Sequence, residues 1–163
     1  MCLRRLGILL LFFSTLSTGV SGQEEQKLTV LTAQEQGLLA KAPQTNDRFQ
    51  IYLRAADARL QGMIAAFRAE DTDQMQMWIR HYREILQLCS DEMDNRPTIK
   101  PRQARPHEIQ LRRYGNGIEE LFSRADPPEQ EPLRRASELT QQLRNRFLKI
   151  YFGNSNIQDT FRP

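Results

Sequence analysis

Residues 47–67, DRFQIYLRAADARLQGMIAAF, carry apolar side chains at alternating steps of four and three. The positions concerned are Phe49, Leu53, Ala56, Leu60, Met63 and Phe67. This spacing places them along one side of an α-helix, in a stripe wide enough to pack against neighbours. The stretch therefore predicts a long amphipathic helix that needs partner helices to bury its apolar side.

Three further segments repeat this spacing. Residues 72–93 are apolar at Met75, Trp78, Tyr82, Ile85, Cys89 and Met93. The segment that follows Pro106 is apolar at Ile109, Leu111, Tyr114, Ile118, Leu121 and Phe122. The segment that follows Asp126 is apolar at Leu133, Ala136, Leu139, Leu143, Phe147 and Ile150. Thr32 and Glu35 form a capping-box pattern at the start of a shorter helix. No segment alternates with a period of two, so the sequence predicts an all-α fold, an antiparallel helical bundle of four long helices plus one short N-terminal helix.

Prolines and glycines mark the expected breaks between these helices. Pro97, Pro101 and Pro106 fall in a polar, basic stretch and exclude a continuous helix there. They predict an extended crossover over residues 94–106, with the fourth long helix beginning near Pro106. Gly115 and Gly117 predict a kink or a break inside that helix, because glycine weakens a helix interior.

The first 22 residues have the pattern of a secretory signal peptide. Arg4 and Arg5 precede an apolar run from Leu6 to Phe13, and small residues end the segment at Gly22. The apolar run is well short of the roughly 20 residues that a transmembrane helix needs. We therefore expect export through the secretory pathway, to a periplasm or out of the cell, with cleavage after Gly22 and no transmembrane segment in the mature chain.

The mature chain divides into three parts. We expect a disordered segment over residues 23–31, one helical bundle domain over residues 32–153 and a tail over residues 154–163. Loss of Arg4 and Arg5 lowers the formal net charge from +3 to +1, so the chain offers no general case for binding nucleic acid. Cys89 is then the only cysteine, which excludes an internal disulfide.

The third helix contains residue types that bind soft metals or haem, namely Met75, Met77, His81, Cys89 and Met93. Three of them, Met75, Cys89 and Met93, are also core positions, where methionine is an ordinary filler. The Cys-x-x-Cys-His and His-Glu-x-x-His motifs are absent. Met77 and His81 are therefore the candidate metal ligands of an alternative hypothesis, a bundle that binds a small ligand, a metal or haem. The leading hypothesis includes no cofactor.

The most distinctive polar feature is a basic series at and after the proline-rich stretch: Lys100, Arg102, Arg105, Arg112 and Arg113. Guanidinium groups suit carboxylates and phosphates. These five residues are the candidate contacts to another envelope or extracellular protein or to an anionic surface. The simpler interpretation is a solvated loop.

No catalytic arrangement is recognisable in the sequence. No serine lies in a Gly-x-Ser-x-Gly elbow. Cys89 is on a core stripe, where a thiol stays protonated and unreactive. The sequence therefore predicts a non-enzymatic interaction module.

Two short stretches are similar to the Leu-Thr-x-x-Gln motif of small periplasmic helical chaperones of the Spy type. The stretch Leu31-Thr32-Ala33-Gln34-Glu35 ends in glutamate, and Leu139-Thr140-Gln141-Gln142-Leu143 ends in leucine. Both depart from the motif in its last position, so we assign no family and transfer no residue roles.

Overall fold

The computed structural model describes residues 30–95 and 99–153, and it confirms the predicted all-α bundle. The helices are α1 (Ala33–Lys41), α2 (Thr45–Arg68), α3 (Thr72–Asn95), α4 (Pro101–Phe122) and α5 (Pro127–Phe152). No strand occurs within these two ranges. The predicted signal peptide and C-terminal tail lie outside the described residues.

The four long helices form a closed ring in which each helix packs against two others. Helix α2 contacts α3 and α4, while α5 contacts the same two helices from the opposite side. The short turns at residues 69–71 and 123–126 join α2 to α3 and α4 to α5, so these pairs run antiparallel. Helix α1 packs on α2, outside the ring. None of the described helices is both long and apolar enough to cross a membrane.

The apolar stripes predicted from the sequence form most of the core between the helices, but Ile109 and Phe122 of the predicted α4 stripe are exposed. Phe49 packs edge-on against the Phe147 ring, with 5.4 Å between ring centroids. Two buried tyrosine hydroxyls find partners on an adjacent helix of the ring: Tyr82 bonds to Thr140 over 2.8 Å, and Tyr114 donates to the Leu53 carbonyl oxygen over 2.7 Å. These bonds remove the cost of burying the hydroxyl groups. They also link α3 to α5 and α4 to α2.

The predicted crossover over residues 94–106 is too long, because α4 already begins at Pro101. Pro101 is the first residue of the helix, where its missing N–H costs nothing. Pro106 lies inside the helix and has no N–H to donate to the carbonyl oxygen of Arg102. Arg102 is in the exposed first turn, where water can replace this hydrogen bond. Pro132 lies equally far into α5, which begins at Pro127.

The predicted break near Asn116 is wrong, since α4 continues through both glycines to Phe122. Gly117 faces α2, and a Cβ atom at this position would lie 3.5 Å from Leu60 Cδ2. This distance is ordinary van der Waals contact, so the position suits close helix packing. Gly115 has nothing within 4 Å of its would-be Cβ.

The predicted disorder over residues 23–31 does not extend to Val30 and Leu31. Val30 is buried, and its carbonyl oxygen accepts a 2.7 Å hydrogen bond from Arg59. Arg59 also forms a two-pronged ion pair with Glu35 over 2.6 and 2.7 Å. Burial opposes ionisation of Glu35, but the bonds from Arg59 and Thr32 outweigh it and lower the pKa of this carboxyl. Glu35 thus completes the predicted capping box with Thr32. Its ion pair with Arg59 also links α1 to α2.

Candidate anion-binding face

The outward side of α4 collects four of the five basic residues singled out from the sequence. Arg102, Arg105, Arg112 and Arg113 are all exposed, together with Ile109. Their separations of three, four and seven residues bring them to the same side of a helix. From Arg102 to Arg113 this face is about 17 Å long, at 1.5 Å per residue.

The positive charge of this face is reinforced by the start of the helix. Lys100 occupies the N-cap position, and the first turn of α4 contains no acidic residue. The other four described helices each carry an acidic residue in their first turn. The cap of α4 is neutral, because the Lys100 N–H donates to the amide oxygen of Gln103 over 2.9 Å. Basic side chains therefore add to the positive end of the helix dipole instead of offsetting it.

The two inward-facing polar residues of this segment do not reduce its charge. Glu108 is buried and accepts a 2.9 Å hydrogen bond from Arg144 of α5, so its negative charge is neutralised below the surface. His107 is buried between the rings of Phe49 and Phe147. Its Nε2 lies 3.0 Å from Asn46 Oδ1. Burial lowers the pKa of His107 to about 4, so the ring is neutral at neutral pH.

The arginines of this face make few contacts within the bundle, so most of their N–H donors can bind a partner. The Arg105 guanidinium lies over the Tyr151 ring, 5.0 Å from its centroid, which holds the group while leaving its in-plane N–H donors free. Arg113 approaches Asp57 over 3.4 Å, but both side chains are exposed and such pairs contribute little. With the described residues, Lys100, Arg102 and Arg112 form no ion pair.

Ile109 lies on this exposed face, contrary to the prediction from the sequence. It was expected in the apolar stripe of the fourth helix, but its side chain is 43% exposed and lies among the arginines. The signal was present in the spacing: Leu111 is buried only two residues later, and residues two apart point to different sides of a helix. The face therefore has an apolar residue near its centre as well as charge around it.

The candidate metal ligands Met77 and His81 have different neighbours. Met77 lines a depression of about 330 Å³ beside Pro132 of α5. His81 packs edge-on against Trp78, with ring centroids 6.0 Å apart, and burial lowers its pKa.

The other soft residues of α3 lie in the core. Met75, Cys89 and Met93 are buried, and burial raises the pKa of the Cys89 thiol. In the described part of the chain, no group of three or more His, Cys, Asp or Glu side chains is close enough to hold a metal ion. The structure thus separates the five soft residues of α3 into a core group and a surface pair.

Comparison with known proteins adds no relative, since no protein-family model, no curated protein and no solved structure matches the chain.

Proposed function

We propose that this chain is an exported, non-enzymatic interaction module, and that the outward face of α4 binds an acidic surface of another envelope or extracellular protein. The observation that supports it is one exposed face with four arginines and one central apolar side chain, Ile109. Lys100 precedes the face at the N-cap, and no exposed acidic residue lies between Lys100 and Ile118. Charge-assisted bonds from arginine to carboxylates are short and often two-pronged, which gives both attraction and orientation.

The composition of the face favours a protein partner over a membrane. The four cations of the face are all arginine, which is enriched in protein interfaces where lysine is depleted. A helix that inserts into a bilayer surface needs a broad free apolar side. The apolar side of α4 is already buried in the bundle through residues such as Leu111, Tyr114 and Ile118. An anionic membrane could therefore attract this face only by charge.

Export is supported by the order of basic, apolar and small residues within positions 1–22. The mass of the protein recovered from a bacterial periplasm tests this part of the proposal. A mass equal to that of residues 23–163 is expected, and a mass that includes residues 1–22 would contradict cleavage after Gly22.

The binding face is tested with a variant in which four arginines become glutamine. The changed residues are Arg102, Arg105, Arg112 and Arg113. A matched control changes four exposed basic residues elsewhere, and so alters net charge equally. These residues are Arg54, Arg68, Arg80 and Lys149. Both variants are compared with the parent chain by circular dichroism, to verify that the bundle is intact.

Binding is measured against three defined probes: a twelve-residue glutamate-rich peptide, the corresponding glutamine peptide, and vesicles that contain anionic phosphatidylglycerol. We expect the parent chain and the control variant to bind the glutamate peptide in a salt-sensitive way, and the α4 variant to lose about tenfold or more in affinity. Equal binding by the two variants would refute the α4 face as the site. Binding to vesicles but not to the glutamate peptide would replace the protein partner with a membrane.

A further inference from the structure

A second surface feature lies at the end of the bundle where the α2–α3 turn meets the α4–α5 turn. It is a depression of about 620 Å³. Its lining includes Phe67, Arg68, Glu70, Asp71, Arg124, Asp126 and Glu129. The volume lies within the range of small-molecule sites in proteins. The depression lies beyond the C-terminal end of α4, whereas Lys100 and Arg102 lie at the N-terminal end of this helix.

Glu129 is the unusual residue of this depression. It is the third residue of α5 and is only 6% exposed. Within residues 30–95 and 99–153, no hydrogen bond and no ion pair reaches its carboxylate. Its carboxylate oxygens are not sealed from solvent, since Arg59 Nε is the only buried side-chain polar atom without a hydrogen bond in the described residues. Glutamate is rarely this buried without a partner, because loss of hydration is costly for a charged group. A carboxylate that has no internal partner and opens onto a depression is a feature expected of a binding site.

The local sequence explains why the start of α5 provides no donor for this carboxylate. Pro127 and Pro128 occupy the first two helical positions and have no N–H groups. The N–H of Glu129 itself bonds to the Asp126 carbonyl oxygen over 2.9 Å. The helix dipole favours a negative charge at this position, but hydrogen-bond donors must come from outside the helix.

The surroundings favour a positively charged ligand with an apolar part. Four carboxylate residues (Glu70, Asp71, Asp126 and Glu129) outnumber the two arginines, Arg68 and Arg124, among the lining residues. The Phe67 ring supplies an apolar wall, and the Arg124 guanidinium lies 5.2 Å from its centroid, which shows that a cation can occupy this ring face.

The acidic residues here do not form a metal site. A metal ion needs several ligands that converge at short distance, and no group of three or more His, Cys, Asp or Glu side chains in the described ranges does so. An ammonium or guanidinium group needs only one well-placed carboxylate together with an apolar contact for its stem.

We infer that this depression binds a small organic cation, an ammonium or guanidinium group on a short apolar stem, with Glu129 as its counter-ion and Phe67 as the contact for the stem. The cation can belong to a free small molecule or to a basic side chain of a peptide, since the chemistry at Glu129 is the same in both cases. This site is separate from the α4 face and does not depend on its proposed function.

The experiment uses Glu129→Gln, which keeps the shape of the side chain and removes its charge, with Glu119→Gln on the exposed side of α4 as the matched control. Binding of butylguanidinium, butylammonium and neutral butanol is measured by chemical-shift titration of the mature chain. An acetylated and amidated Gly-Arg-Gly peptide serves as the peptide source of the same group.

We expect the cations to bind, butanol not to bind, and Glu129→Gln to weaken cation binding by roughly tenfold or more while Glu119→Gln leaves it unchanged. Binding of the small cations supports a free ligand. Binding of the peptide alone supports a basic side chain as the source. Equal binding of cations by parent and Glu129→Gln, or equal binding of butanol, would overturn the inference.

A thermal unfolding measurement separates a binding role from a structural one. Since the Glu129 carboxylate has no hydrogen-bond or ion-pair partner in the described chain, its neutralisation removes only the favourable interaction with the helix dipole, and the unfolding midpoint should fall by no more than about 4 °C. A marked fall in the midpoint would overturn the inference, because it would show that the fold itself requires this charge. The four-arginine variant of the α4 face should bind the cations like the parent chain, so the two proposals can fail independently.

Discussion

Acidification should destabilise this bundle through His107, the buried histidine of α4. Its ring is enclosed by Phe49 and Phe147 and reaches one polar partner, Asn46. Burial lowers the pKa of His107 from 6.5 to about 4. Between these two pKa values the unfolded chain is protonated at His107 and the folded chain is not. The free energy of unfolding therefore falls as the pH decreases from about 6.5 to about 4.

The size of the effect follows from the two pKa values. Linkage gives a loss of about 2 kcal/mol at pH 5 and about 3 kcal/mol at pH 4, relative to pH 8, from this one residue. Below the folded pKa the loss from His107 levels off at about 3 kcal/mol, because both states become protonated. For a small domain this is a large part of a total stability of roughly 5–15 kcal/mol.

The measurement is urea unfolding at a series of pH values for the parent chain, His107→Gln and His81→Gln. Removal of the His107 ring lowers stability at every pH because the packing is lost, so the informative quantity is the change with pH. We expect His107→Gln to lose roughly 2–3 kcal/mol less than the parent between pH 8 and pH 4. His81→Gln should retain most of the parent's loss. Identical pH profiles for parent and His107→Gln would refute the reasoning.

Two further predictions concern packing and reactivity. Gly62→Ala would place a Cβ atom 2.7 Å from Cδ2 of Trp78, so it should destabilise the fold by roughly 1–3 kcal/mol. Gly115→Ala, with nothing within 4 Å, should stabilise α4 by roughly 0.5–1 kcal/mol, and urea unfolding that shows the same sign for both changes would contradict this contrast. Cys89 is fully buried and burial raises its pKa, so a thiol reagent should modify it only as fast as the protein unfolds. Rapid modification of the native chain would show that the thiol is accessible.

The helix content could be predicted from the sequence because apolar spacing is a local property. The stripes around Leu53 and Ile85 identify their helices without reference to the rest of the chain. Helix boundaries were less accurate where proline was taken as a barrier. Pro106 is tolerated because it lies near the N-terminus of α4, and the sequence pattern does not reveal where that terminus begins.

The candidate sites were predicted only in part. The basic residues of α4 were found from composition, but their gathering on one face required the helix to start at Pro101 and not after Pro106. Ile109 was misplaced although its spacing from the buried Leu111 already indicated a different side of the helix. Glu129 was missed altogether, because no local pattern distinguishes a buried glutamate in a first helical turn from the many exposed ones.

By itself, the sequence determined that the chain is helical and where most of the apolar surface of each helix lies, since both depend on residues within a few turns of one another. The tertiary structure decided the fate of the polar residues. His107 and Glu108 face inward because Asn46 and Arg144, which are distant in sequence, supply their partners, and Glu129 lies against a cavity made by two turns. The free energy of a buried polar group depends on groups that only the folded chain brings near, so no local pattern can specify it.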